Sequence, residues 1–286
     1  MLLDGITLTH EHMSINLSPG DLDTDSFDEL VSDLKMIYRC GVRNIIDLTN
    51  QSMGRDVQYT SRLMKETGIN IVSSTGYYIE PYVKPYVSDR SVEELTDIYI
   101  RDLTEGIDGT DIKAGVIGEI GWAADGPDEY ELKAWEAAAI AAVKTGCVVS
   151  VHPSRGRQMI KQTEFLISRG VFPEKIIIGH IEFFPTEEVL LSILKTGVNI
   201  GLDMVGKTSV QRDDYRAGVF KLVRDWGYLP NILLSTDICR RQDLKSCGSY
   251  GYVHLFETFI PKLKKLGITD DEINTVLIDN PKRIFK

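Results

Sequence analysis

Cysteine is scarce in this sequence: Cys40, Cys147, Cys239 and Cys247 are the only four. None forms a CxxC pair, so neither a disulfide framework nor a cysteine zinc knuckle is indicated, and all four are expected as free thiols. No apolar run approaches the roughly 18 to 20 residues that span a bilayer, and no basic segment followed by an apolar stretch opens the chain. A cytoplasmic location with no membrane partner is therefore the expectation. Positive charge is also in deficit, with 32 basic against 42 acidic residues and a net charge of −10. A field of that sign repels polyanions, so no nucleic-acid partner is expected. It leaves room for a small anionic substrate held by a local basic cluster. Low-complexity tracts and Pro/Gly/Ser-rich linkers are missing too, which removes the usual marks of a domain boundary. Residues 1–286 are read as one domain.

What is present is a repeated alternation. Eight short runs rich in β-branched residues, at 6–12, 44–49, 70–75, 114–119, 148–152, 175–180, 198–203 and 232–237, are separated by segments of helical periodicity. Several are apolar on successive residues (Ile45-Ile46, Val148-Val149, Ile176-Ile177-Ile178), as parallel strands covered on both faces require. Between them, 26–39 spaces Phe27, Leu30, Val31, Leu34 and Ile37 by three or four. Segment 129–144 is rich in alanine and other helix formers, with Gly146 standing as a stop just beyond it. Eight βα units in one unbroken chain predict a (β/α)₈ TIM barrel, an α/β fold, with a C-terminal helical extension. An open doubly wound sheet remains the alternative, because closure is not visible in a sequence.

Histidine is rare, with five in the chain, and four of them fall at or beside the C-terminal ends of predicted strands: His10, His12, His152 and His180. Active sites of α/β barrels are built on that face. The i, i+2 spacing of His10 and His12 on a strand points both imidazoles to one side, and Glu11 between them points away and is not read as a ligand. Glu119 and Asp237 end two further strands. Four imidazoles and two carboxylates on one rim suit zinc or a similar divalent ion, with manganese, cobalt or iron as other candidates. Six protein ligands fit two ions better than one, with Glu119 as the natural bridge. His254, inside the helix-like segment 252–264, is read as structural or exposed. Glu182 and Asp203 are candidates for orienting the imidazoles or relaying protons.

These residues resemble the phosphotriesterase family of the amidohydrolase superfamily. The resemblance runs through Thr9-His10-Glu11-His12, the carboxylate of the fourth strand, the single histidines of the fifth and sixth, and the aspartate of the eighth. It continues in Gly54-Arg55-Asp56, Thr75-Gly76-Tyr77-Tyr78, Ile200-Gly201-Leu202-Asp203 and Tyr250-Gly251-Tyr252. One departure selects a branch: where triesterases and related lactonases carry a carboxylated lysine, this chain has Glu119, as the phosphotriesterase-related (homology) proteins do. The resemblance implies that His10, His12 and Asp237 hold one ion, that His152 and His180 hold the other, and that Glu119 spans both. It further implies a homodimer and an aromatic pocket residue at Tyr78.

The expected chemistry is attack on a small carbonyl substrate (a lactone, carboxylic ester or N-acyl amide) by a water that two divalent ions convert to hydroxide, with Asp237 accepting its proton. Arg155 and Arg157, directly after His152-Pro153, are candidates for binding an anionic group of that substrate. Arg240, Arg241 and Lys207, on the loops after the last two strands, would widen the same basic pocket. Two other readings compete. The ligand set is also similar to TatD-type nucleases, which would make the substrate a phosphodiester, and a weak phosphotriesterase is conceivable on the same grounds. A non-catalytic metal-binding barrel would retain the site without turnover.

Overall fold

The computed structural model describes residues 1–153, 158–184 and 186–286. The expectations for Arg155 and Arg157 lie outside the described residues. Eight strands run parallel in sequence order: Ile6–Glu11 (β1), Val42–Asp47 (β2), Asn70–Thr75 (β3), Val116–Gly121 (β4), Val148–His152 (β5), Ile176–Ile178 (β6), Asn199–Leu202 (β7) and Ile232–Leu234 (β8). The circle closes where β1 meets the end of β8, as Asp237 N donates to His10 O at 3.2 Å and His10 N to Ser235 Oγ at 3.0 Å. The fold is a (β/α)₈ TIM barrel, and the open-sheet alternative falls away.

The doubly apolar strands sort their side chains to two layers. Ile45, Ile117, Val149 and Ile178 join the large core beneath the helices. Their sequence neighbours Ile46, Val116, Val148 and Ile177 form a separate cluster with Leu233 inside the barrel. Ile284, from the helix Asn280–Ile284, completes that inner cluster, so the C-terminal helical segment is packed onto the barrel itself. Each such buried side chain contributes roughly 1.5–3 kcal/mol.

The helix Glu129–Thr145 starts on a capping box of Asp128 and Glu131 and stops at Gly146, whose φ of 71° a side chain would oppose. Its run of buried alanines, Ala137 to Ala139 with Ala141 and Ala142, lets it lie close against the sheet. The segment read as a helix at 252–264 is π-helical at Leu255–Phe259 before turning α-helical at Ile260–Lys265. Pro261 lacks the N–H that a regular ladder needs there.

Four strands are shorter than their sequence suggests: β1 stops before His12, β6 before Gly179, β7 before Asp203 and β8 before Ser235. β6 stops at Ile178 and β8 at Leu234 because His180 (φ 47°) and Asp237 (φ 49°) take the left-handed conformation, which leaves the strand ladder. Cys40, Cys147, Cys239 and Cys247 are free thiols. No helix among the described residues is long and apolar enough to cross a membrane.

Candidate active site

At the C-terminal end of the barrel, three imidazoles are each held from behind. His10 Nδ1 lies 3.0 Å from Asp203 Oδ2, His180 Nδ1 lies 2.8 Å from Asp203 Oδ1, and His12 Nδ1 lies 3.1 Å from Thr49 Oγ1. With Nδ1 committed outward, Nε2 is the nitrogen each ring turns to the interior. Asp203 also accepts from the backbone N–H of His180 at 2.9 Å, so one carboxylate fixes two rings and a main chain. His152 is oriented the other way: Nδ1 faces Glu119, and the Tyr78 hydroxyl stands 3.2 Å from Nε2 and 3.4 Å from Nδ1.

Glu119 lies at the centre of the four rings. Its Oε1 is 3.6 Å from His12 Nε2, and its Oε2 is 3.4 Å from His10 Nε2, 3.0 Å from His152 Nδ1 and 3.5 Å from His180 Nε2. Gly118 makes this position reachable, because a Cβ there would stand 2.6 Å from Ser150 O of the adjacent strand. Asn50 Nδ2 secures Glu119 further by donating to its carbonyl at 2.9 Å. Asp237 Oδ1 lies 3.3 Å from His12 Nε2 and 3.8 Å from His10 Nε2.

Most of these separations are long for hydrogen bonds but ordinary between ligands of one metal ion. Donors about 2.0–2.2 Å from a shared ion stand roughly 3.0–3.5 Å apart. His10, His12 and Asp237 form one such group, and His10, Glu119 and His180 form another. A third triangle joins His152 Nδ1, 3.1 Å from His180 Nε2, to Glu119 Oε2. His10 Nε2 is buried and has no hydrogen-bond partner, as expected of a nitrogen reserved for an ion. The donor set fits divalent metal binding.

The electrostatics point the same way. Burial disfavours the charged forms of Glu119 and Asp203. Yet His152 and His10 hold the Glu119 carboxyl well below the usual carboxylate range, and His180 and His10 hold Asp203 below it. Burial opposes charge on His10 and His180 as well, but Asp203 together with the other carboxylates around them outweighs it, and both imidazoles are held up, His180 well above its ordinary value. Three buried carboxylates, Glu119, Asp203 and Asp237, thus draw positive charge to one place.

Asp237 has a second partner. Lys207 Nζ, from the loop after β7, donates to its Oδ2 and lies 3.5 Å from Cys239 Sγ. Burial would raise the Asp237 carboxyl, but the Lys207 ammonium brings it down, and Asp237 in turn raises Lys207 against the cost of burial. The peptide around Asp237 is fixed by Glu11. That carboxylate accepts from Ser235 Oγ (2.7 Å), Thr236 N (2.8 Å), Thr236 Oγ1 (2.7 Å) and Ile238 N (3.0 Å). Burial lifts the Glu11 carboxyl to about 7 despite these bonds. A left-handed non-glycine residue costs on the order of 1–3 kcal/mol, and a hydrogen bond to a charged group returns about 1.5–3 kcal/mol. The four bonds therefore suffice to hold the turn.

The remaining candidates are dispersed. Tyr78 is part of the site, its ring 4.9 Å edge-on from His152. Glu182 sits behind it: its Oε1 accepts from Met204 N (3.0 Å) and from the fully buried Arg216 (3.2 Å), while burial and Asp203 raise its carboxyl to about 7. Arg240 lines a cavity of about 470 Å³ with Lys207, Cys239 and Tyr250. Its guanidinium, however, is engaged by Ser18 Oγ and Pro19 O at 3.2 Å and by Asp21 at 3.4 Å. Arg241 pairs with Glu29. His254 is held by Asp213 at 2.7 Å. A second polar cavity, of about 490 Å³, includes Arg55, already paired with Asp102 and Asp108. Sequence reasoning missed Thr49 and Asn50, whose position just past β2 was the one signal available, and assigned no task to Glu11.

The description "Phosphotriesterase family" matches residues 3–285. The chain is 36% identical to the phosphotriesterase homology protein of Escherichia coli K12, over 99% of this chain and 98% of that protein. The crystal structure of that E. coli protein, complexed with phosphate in its active site, superposes with a TM-score of 0.94 and covers 99% of both chains. An N-acetyltaurine hydrolase of Dictyostelium discoideum is 31% identical over 98% of this chain and 80% of its own length. An aryldialkylphosphatase of Saccharolobus solfataricus is 32% identical over 98% of this chain and 95% of its own.

Proposed function

The chain belongs to the phosphotriesterase family, and from that premise we propose that it is a zinc-dependent hydrolase holding two divalent ions and acting on a small carbonyl substrate with an anionic group. The supporting observation is the convergence of four imidazole nitrogens on the two oxygens of Glu119, at separations suited to shared ions. His10, His12 and Asp237 would hold one ion, His152 and His180 the other, and Glu119 both. When bound, such ions lower the pKa of a water and polarise a carbonyl oxygen.

The chain's own groups supply the rest. Asp237 is the acceptor for the proton released as water adds to the carbonyl carbon, and it returns that proton to the alkoxide or amine as the C–O or C–N bond breaks. The contact of Tyr78 with His152 supports a role for Tyr78 in contacting the substrate. Lys207 favours an anionic substrate, as a cation that touches Asp237 and lines the adjoining cavity of about 470 Å³. The relatives named N-acetyltaurine hydrolase act on an amide of that kind by their names, which supports the N-acyl amide among the three carbonyl classes.

The test is turnover of an N-acyl amino-sulfonate, a lactone and an aryl ester by protein stripped with chelator, then given back Zn²⁺. Stripping is expected to abolish activity and two equivalents to restore it, while Glu119→Ala stays at least a thousandfold down. Undiminished activity in metal-free protein would overturn the reading. Phosphoester hydrolysis is the second reading, favoured by the likeness to an aryldialkylphosphatase. Faster turnover of an aryl dialkyl phosphate than of every carbonyl substrate would put it first.

A further inference from the structure

Glu11 stands between two of the site's histidines yet turns its carboxylate away from the other donors. Its side chain is fully buried, and four donors reach it: two backbone N–H groups and two hydroxyls, all within residues 235–238. These contacts bracket Asp237, with Thr236 N–H before it and Ile238 N–H after it. Barrel closure does not explain them. The ends of β1 and β8 are already stitched by Asp237 N to His10 O and by His10 N to Ser235 Oγ. None of the four reaches β8 itself, which ends at Leu234. They fall on the one stretch where the chain leaves the strand and Asp237 adopts its left-handed conformation.

We infer that Glu11 is a positioning residue for Asp237: by gripping the peptide on both sides of it, Glu11 sets the direction in which the Asp237 carboxylate is presented to the other donors. A strand residue between two histidines is well suited to this. The same short segment that points His10 and His12 inward points Glu11 at the neighbouring turn, so three members of the site share one rigid element. The inference rests on the proposed role of Asp237 as a metal ligand and proton acceptor.

Calorimetric titration of metal-free protein with Zn²⁺ tests it. The wild type should bind two equivalents; failure to bind any would count against the proposed function, separately from Glu11. In Glu11→Ala, one equivalent should weaken ten- to hundredfold while the other is unchanged. In the double variant with Asp237→Asn, the loss should be no greater than in Asp237→Asn alone, because Glu11 acts through Asp237. Should Glu11→Ala not fold, Glu11→Gln carries the same comparison. It keeps the length, but an amide facing both Thr236 and Ile238 must set an N–H against a donor at one end. Zn²⁺ binding equal to wild type, or losses that multiply in the double variant, would overturn the inference.

Discussion

The floor of the site and its rim are supported in different ways. On the floor, each side chain is fixed by a group that takes no part in the inner face: Asp203 behind His10 and His180, Thr49 behind His12, Asn50 behind the Glu119 peptide, Glu11 behind the Asp237 turn. At the rim the charged groups are engaged by one another or by loop backbone. Lys207 lies on Asp237, Arg240 on Ser18, Pro19 and Asp21, and Arg241 on Glu29. A floor of that kind is preorganised, since its rings and turns are fixed by partners outside the inner face. A rim of that kind must exchange partners to take hold of a substrate. Specificity is therefore expected to be softer than metal binding, and the comparison can be pressed from either side.

Among the groups that support the site from behind, the largest effect should come from Asp203→Asn. Oδ2 of the carboxylate lies 3.0 Å from His10 Nδ1, and Oδ1 accepts from the backbone N–H of His180 and faces its Nδ1. An amide must keep its oxygen there and turn its NH₂ toward His10 Nδ1. That forces the His10 proton onto Nε2, the nitrogen intended for the ion. Loss of Zn²⁺ affinity of about a hundredfold is expected, with kcat/KM falling in parallel. His10→Ala should add little in the same background. Unchanged Zn²⁺ affinity would mean that the floor is not held from behind after all.

The difference between floor and rim also explains what the sequence made legible. Strand periodicity located eight barrel segments, and β3 and β5 match their expected limits to the residue. His10 and His12 share a face because period two dictates it. Glu119, His152, His180 and Asp237 were nameable because chemistry-bearing residues stood out at the ends of apolar runs. What escaped was the supporting layer. Thr49 and Asn50 are ordinary polar residues whose partners lie far off in sequence, His12 for one and Glu119 for the other. Glu11 read correctly as outward-facing, but the turn it meets is 224 to 227 residues away. The left-handed turns at His180 and Asp237 were invisible too, since propensity offers no reason to expect them at non-glycine positions.

Lys207 tests whether the boundary between the two regions is real, and Lys207→Met is the next largest expected effect. Its side chain is largely buried, touches Asp237 and lines the cavity shared with Cys239 and Arg240. If it serves the rim, kcat/KM for an anionic substrate should fall about tenfold, or roughly 1.4 kcal/mol, chiefly through KM. An uncharged analogue of the same substrate should change little. An equal fall in kcat for both would assign Lys207 to the floor, as part of the setting of Asp237.

The smallest effect is expected at Arg240, and it bears on the sequence-based assignment of that residue to substrate. The side chain is 43% exposed, and its pairing with Asp21 at 3.4 Å is of the partly solvated kind that contributes at most about 1 kcal/mol. Its two hydrogen bonds go to Ser18 and Pro19, so the head ties the loop after β1 to the loop after β8. Arg240→Ala should therefore lower the melting temperature by only about 2–4 °C and change kcat/KM by less than twofold. Thermal unfolding and steady-state kinetics on the same preparation separate the alternatives. A tenfold rise in KM with an unchanged melting temperature would mean that Arg240 leaves Asp21 to meet the substrate, and the rim would then have a second anchoring cation besides Lys207.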